Sequence, residues 1–138
     1  MDNVDEIVGF EEPGSEVEQL AYAALGACID VHRVLGPGYL ESVYDAALRV
    51  ELKLRGIPFE PQFRFALTYK DHEVGEGRVD FLVGGLLVIE IKACEDLAPI
   101  HTAQVISYLK PTNKQLALLI NFNVRRLKDG VKRIAKTH

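Results

Sequence analysis

The stretch Arg78–Ala93 (RVDFLVGGLLVIEIKA) is apolar enough for buried strands, yet it carries Asp80, Glu90 and Lys92. Glu90 and Lys92 are two residues apart, so on one strand they share a face. The position of Asp80 depends on how the chain turns at Gly84-Gly85. A two-residue turn puts Ile89 opposite Asp80 and sends the two acids to opposite faces. A three-residue loop, or a bulge, puts Asp80 directly across from Glu90, with Cβ atoms roughly 5 Å apart. Two half-buried carboxylates that close repel each other, and one keeps its proton unless a cation lies between them. Mg²⁺ suits such a place, with Mn²⁺ as its substitute: it takes oxygen ligands, keeps several waters and needs only one or two carboxylates. A metal there can polarise a phosphoryl oxygen and lower the pKa of a water, with Lys92 stabilising or orienting the nucleophile. That is the chemistry of metal-assisted phosphodiester hydrolysis. The plainer alternative is a surface ion pair between Lys92 and either acid.

Two further groups point the same way. Glu41, Tyr44 and Leu48 share one face of a helix, and Tyr and Leu would turn that face to the core. This carries Glu41 toward the sheet, where it could join the metal shell directly or through water. Otherwise Glu41 only complements the positive helix start. His101, Gln104 and Tyr108 form one face of a later helix, and Ile100, Ala103, Ile106 and Leu109 its more apolar side. Gln and Tyr offer donors and acceptors that could hold a phosphate, a water or Lys92. The alternative is a polar helix edge.

The elements that must position these groups are legible in outline. Residues 1–14 are acidic, end in Glu-Glu-Pro-Gly and are expected to be a loose tail, leaving residues 15–138 as one domain. Ser15 and Glu18 fit a capping box for a helix over 16–34, and Gly36-Pro37-Gly38 ends it. A second helix is predicted over 39–55 and a half-buried strand over 59–69. Lys70-Asp71-His72-Glu73 turns the chain, and two strands flank Gly84-Gly85. Pro99 opens a helix over 99–110, with Pro111 past its end. Residues 115–121 form a buried strand, and 124–136 a short helix, or a strand plus helix. The order α-α-β-β-β-α-β is that of a layered α/β domain with a mixed sheet.

Composition fits this picture. The chain has 138 residues, a net charge of −4 and two cysteines. It has no apolar run of membrane-spanning length, no signal-like start, and too few cysteines for a disulfide framework or zinc site. A cytoplasmic setting is the default expectation. Charge is uneven, at −8 over residues 1–30, −2 over 31–90 and +6 over 91–138. The basic last third suggests a nucleic-acid-binding surface built from Arg125, Arg126, Lys128, Lys132 and Arg133. A solvated basic face is the competing explanation.

Gly38-Tyr39-Leu40-Glu41-Ser42-Val43-Tyr44 matches the Gly-x-x-Glu-x-x-Tyr signature of the GxxExxY protein family, a branch of the PD-(D/E)XK nuclease superfamily. Asp80 with Glu90-Ile91-Lys92 resembles the superfamily's defining triad, although Val79 stands where many members have proline. Gln104 to Tyr108 resembles the Gln-x-x-x-Tyr motif of its exonuclease branches, and LALLINF, residues 116–122, resembles the buried strand that follows. The similarity spans roughly residues 17 to 136. It implies a restriction-endonuclease-like α-β-β-β-α-β core with one added N-terminal helix. It implies that Asp80, Glu90, the Ile91 carbonyl and Glu41 serve the metal. Lys92 would assist the nucleophile, and Gln104 and Tyr108 would arrange the active-site face. The expected function is a Mg²⁺-dependent nuclease acting on DNA. A homodimer is one way for a domain of this size to reach both strands, but no interface signature marks it. A catalytically silent nucleic-acid-binding module of the same fold is the main alternative, and a structural role for the polar cluster is a third.

Overall fold

The computed structural model describes residues 4–7 and 13–136. The chain order is β1 (Val4–Ile7), α1 (Ser15–Leu35), α2 (Glu41–Leu54), β2 (Phe59–Tyr69), β3 (His72–Val83) and β4 (Leu87–Lys92). It continues with α3 (Pro99–Thr112), β5 (Leu116–Asn121), a 3₁₀ turn (Leu127–Gly130) and β6 (Val131–Ala135). The strands form one mixed sheet in the order β1-β6-β5-β4-β3-β2. β2–β3–β4 is an antiparallel meander, α3 crosses over to make β5 parallel to β4, and β6 returns antiparallel to β5. Helices α1 and α2 cover one face of the sheet, and α3 covers the other. β4 and β5 lie in the middle and are buried almost throughout, as strands covered on both faces must be.

Four local expectations are corrected. Ser15 is already helical, with the extended Gly14 before it, so no capping box forms; Glu18 instead reaches across to Arg133 on β6. α2 starts at Glu41, two residues late, because Gly36 (φ 69°) and Gly38 (φ 109°) hold the linker out of helical geometry. α3 keeps Pro111 inside its last turn and ends at Asn113 in the left-handed region. There the missing N–H removes a single bond near the helix end. The C-terminal segment is a 3₁₀ turn followed by a strand, the reverse of a strand plus helix. Gly130 explains this ordering: a Cβ there would stand 2.1 Å from the Asn121 carbonyl oxygen, so the backbone of the turn packs directly on the end of β5. Within the N-terminal segment expected to be loose, Val4–Ile7 pairs in parallel with β6; residues 1–3 and 8–12 lie outside the described residues.

Two hairpins set up the site. In β3–β4 the last ladder pair is Val83↔Leu87, so the loop is Gly84-Gly85-Leu86, the three-residue alternative. Continued back through Phe81↔Ile89, this register sets Asp80 opposite Glu90. In β2–β3 the two-residue turn Lys70-Asp71 has positive φ at both positions. A register shift between Leu67 and Thr68 follows, a bulge that bends the ribbon. The ribbon also changes face. Phe59, Phe81 and Val83 pack with α1 and α2, but Phe63, Phe65 and Val79 pack with α3. The crossing falls at Asp80 and at Gln62, whose φ is 54°. The outer half of the hairpin therefore leans over α3, with the Phe65 ring edge-on to Tyr108 at 5.1 Å.

The loop makes a direct prediction about stability. Gly84 and Gly85 both have positive φ, so alanine at either costs about 1–2 kcal/mol of backbone strain. At Gly84 an added Cβ also meets Leu20 at 2.7 Å, whereas nothing lies within 4 Å at Gly85. Denaturant titration should show Gly84→Ala to be the more destabilising of the two. Equal losses would mean that Leu20 does not brace the loop.

Candidate active site

The β3–β4 ladder stops at Phe81↔Ile89. Beyond it the strands part, and side chains replace the missing backbone bonds. The Asp80 N–H donates to Glu90 Oε2 at 2.9 Å, and the Ile91 N–H donates to Asp80 Oδ2 at 2.8 Å. Each acid thus caps an amide of the strand opposite, and neither amide is left unpaired. Among the described residues nothing donates to Asp80 Oδ1 or Glu90 Oε1. Glu90 is 6% exposed. The two carboxyls open into a cleft of about 400 Å³ together with Glu41, Lys92, Gln104 and Tyr108, and with Arg64, Glu76, Gly77 and Arg78.

The site is electrostatically loaded. Burial, reinforced by the Asp80 charge, pushes Glu90 up to about 8, against the opposing pull of the Asp80 N–H and Lys92. Burial also raises Asp80, despite the Ile91 N–H. Glu41 is raised chiefly by its partial burial, with Lys92 pulling the other way. With no cation present, the Asp80–Glu90 pair holds a proton at neutral pH.

Local sequence explains how Glu41 arrives there. Tyr44 is fully buried and stacks on Phe122 at 4.7 Å. Its hydroxyl donates to the Gly36 carbonyl at 2.6 Å and accepts from the Tyr39 N–H at 3.1 Å. One side chain thereby ties the glycine linker to the core and fixes where α2 starts, one turn before itself, at Glu41. On α3, Gln104 Nε2 donates to the Tyr108 hydroxyl at 3.2 Å. His101, for which a polar helix edge is the better expectation, does not line the cleft. Its Nδ1 accepts from the Ala98 N–H at 3.0 Å, closing the first turn of α3.

All six side chains singled out for chemistry, Glu41, Asp80, Glu90, Lys92, Gln104 and Tyr108, therefore line one cleft. The basic residues expected to bind nucleic acid do not line it. Arg133 is engaged by Glu18, and Lys132 Nζ donates to Thr102 Oγ1 at 3.3 Å. Arg125 and Arg126 are exposed on the segment after β5. The arginines in the cleft are Arg64 and Arg78, opposite each other on β2 and β3, and nothing in the sequence marked them. Asn121, buried at the end of β5, was also missed. Its Oδ1 accepts from the Cys94 N–H at 3.1 Å, and its Nδ2 donates to the Cys94 carbonyl at 2.9 Å. It pins the chain two residues beyond Lys92.

The donor set suits a hard cation of the Mg²⁺ type. Two carboxylate oxygens face the cleft without hydrogen-bond partners, and their mutual repulsion is what a cation relieves. Among the described residues no three His, Cys, Asp or Glu groups converge to hold a metal. Glu41 therefore fits the expectation of contact through water better than direct ligation.

A protein-family model described as the PD-(D/E)XK nuclease superfamily matches residues 18–134. Among solved structures, one titled "Crystal structure of SSO0001" is similar, with a TM-score of 0.55 and 22% identity. The match covers 90% of this chain and 59% of that one, so the chain spans a little over half the length of the similar protein. No curated protein matches. The fold is restriction-endonuclease-like, α2-β2-β3-β4-α3-β5 with α1 added before it. The chain belongs to the PD-(D/E)XK nuclease superfamily. Among the described residues no helix is long and apolar enough to cross a membrane.

The raised carboxyls give the metal-free protein a pH dependence of definite sign. Both are raised from their ordinary values, Glu90 to about 8. The stability they contribute is complete below about pH 4 and is lost as pH rises through the Glu90 value of about 8. In EDTA the melting temperature should fall across that window, and Glu90→Gln should flatten the fall. Mg²⁺ should raise the melting temperature more at pH 8 than at pH 5, since metal and proton compete for the same oxygens. Parallel profiles for the two proteins would show that Glu90 is not under this strain.

Proposed function

We propose that this member of the PD-(D/E)XK nuclease superfamily is a Mg²⁺-dependent nuclease that hydrolyses phosphodiester bonds in DNA, and that it belongs to the GxxExxY branch. One observation carries the proposal. Asp80 and Glu90 are held face to face beside Lys92, each with an oxygen turned unpaired into a cleft. The branch assignment is supported by Gly38, Glu41 and Tyr44, since the tyrosine and the glycine linker set where the glutamate stands.

In this mechanism Asp80, Glu90 and the Ile91 carbonyl would hold an Mg²⁺ ion, or Mn²⁺ in its place, with Glu41 reaching it through water; the ion would supply a Lewis acid for a phosphoryl oxygen and for the attacking water. Lys92 would orient that water and offset the negative charge that grows on it as its proton passes to solvent. The Lys92 backbone is fixed by the Phe122 N–H, which donates to its carbonyl at 2.9 Å, so the ammonium departs from a rigid base. Gln104 and Tyr108, bonded to each other, offer a donor and a hydroxyl to the phosphate or the water. Arg125 and Arg126 follow β5 at the sheet end where Lys92 ends β4. They bind backbone phosphates further along the strand, followed by Lys128, whereas Lys132 and Arg133 engage Thr102 and Glu18.

A Mg²⁺ titration against labelled single- and double-stranded DNA and RNA tests this. Cleavage of DNA should require the metal and fall at least about a hundredfold in Asp80→Ala and in Lys92→Ala, with both variants still folded. Asp80→Ala removes a buried carboxyl but also the acceptor of the Ile91 N–H, so a modest drop in melting temperature in EDTA is expected, and circular dichroism should show the fold retained. Undiminished cleavage in both variants would end the proposal. Metal-responsive binding without cleavage of any substrate would favour the silent binding module instead.

A further inference from the structure

From the juxtaposition of Arg64 and Arg78 at the mouth of the acidic cleft, we propose that the leaning β2–β3 ribbon is the phosphate clamp of the site. The two guanidinium groups grip the backbone of the nucleic-acid strand that enters beside Asp80. This rests on the nuclease proposal for the identity of the ligand, but not for its test.

The first support is energetic. Arg64 and Arg78 are direct cross-strand partners, and like charges placed so destabilise a sheet. The Arg64–Glu76 pair at 3.3 Å offsets little, because both side chains are well exposed. No described residue pairs with the Arg78 side chain through a hydrogen bond or ion pair, and its charge only favours the nearby Asp80 carboxylate through space. The fold gains little from this arrangement, whereas a ligand with an anionic backbone gains directly.

The second support is placement. Both arginines line the cleft with Asp80, Glu90 and Glu41. With Glu76 the cleft is lined by four acids, which by themselves repel a phosphodiester, and among the described residues Lys92 is the one other cation lining it. A polyanion can reach the carboxylates only if cations beside them hold it. Arginine's planar fork matches two phosphate oxygens at once.

The third support is rigidity. On the adjoining rung of the ladder Gly77 lies directly opposite Phe65. A Cβ on Gly77 would stand 2.4 Å from the Phe65 ring, so the ring lies across the glycine and meets Tyr108 edge-on. The ribbon is thereby seated on α3 at the residue that also lines the cleft. The clamp is pre-set relative to the acids rather than swinging free, which lowers the cost of ordering it on binding.

The test is binding, kept apart from cleavage. Fluorescence anisotropy of a short labelled single strand and of a duplex is measured over a salt series, in the Asp80→Ala background so that neither is consumed. Arg64→Gln and Arg78→Gln should each weaken binding about tenfold and lower the log–log salt slope by about one. Arg64→Lys should keep the slope and lose only part of the affinity. The double Gln variant should melt no lower than its parent, since the like-charge pair contributes no stability. Salt-sensitive binding that is unchanged in both Gln variants would overturn the clamp while leaving the nuclease proposal standing. A lowered melting point with unchanged binding would make the arginines structural. Absence of salt-dependent binding to either probe would overturn it as well. If the parent with Asp80 restored cuts nothing yet the variants lose affinity as stated, the clamp stands and the nuclease proposal falls.

Discussion

The arrangement on which the rest depends is the exchange between Asp80 and Glu90 across two parting strands. Where the ladder opens, two backbone amides lose their carbonyl partners, and an unpaired buried amide is expensive. Each carboxylate supplies the missing acceptor for the opposite strand. The same geometry brings two negative groups together where water is scarce, which raises both. One interaction therefore closes the sheet and charges the cleft. The fold does not merely tolerate the acids; it uses their inner oxygens as structure and leaves their outer oxygens for chemistry.

The surroundings can be understood as supports for that pair. β4 sits between β3 and β5 with both faces covered, so Glu90 and Lys92 ride on a strand with no freedom to shift. Helix α2 approaches from one side, with its start fixed by the Tyr44 hydroxyl. Helix α3 approaches from the other, bringing Gln104 and Tyr108. The change of face at Gln62 and Asp80 turns the hairpin into a third wall. Asn121 and Gly130 act from behind: the first ties the chain beyond Lys92, and the second lets the following turn pack on the Asn121 backbone.

What could be read from the sequence follows from the range of the forces involved. Helical and strand periodicity is local, so the elements from α1 to β5 and their order emerged to within a few residues, whereas β1 and β6, whose pairing is long-range, did not. The opposition of Asp80 and Glu90 was narrowed to a choice between loop lengths, and the two consecutive left-handed glycines with Leu86 decide it. The clamp arginines were illegible for a comparable reason. A plain two-residue turn at Lys70-Asp71 continues the Tyr69↔His72 register and pairs Arg64 with Gly77; only the shift at Leu67/Thr68 brings Arg78 opposite. A bulge has no clear signature in composition. In the C-terminal basic run charge is visible in sequence but its partners are not: Glu18 lies 115 positions from Arg133. His101 has suitable chemistry and suitable spacing, yet its ring nitrogen is spent on its own helix start.

The sheet's two borders also have a consequence for how copies of this chain meet. Among the described residues β1 offers four along its outer margin. At the opposite border, β2 carries Pro61, which has no N–H to give, then the left-handed Gln62 and the irregularity near Thr68. Short margins, proline and kinks are the means by which proteins discourage neighbours from adding strands. Extension of the sheet from molecule to molecule is thus disfavoured at both ends, and a crowded solution of this protein should resist fibrillar growth despite a core as rich in valine, leucine and isoleucine as this one.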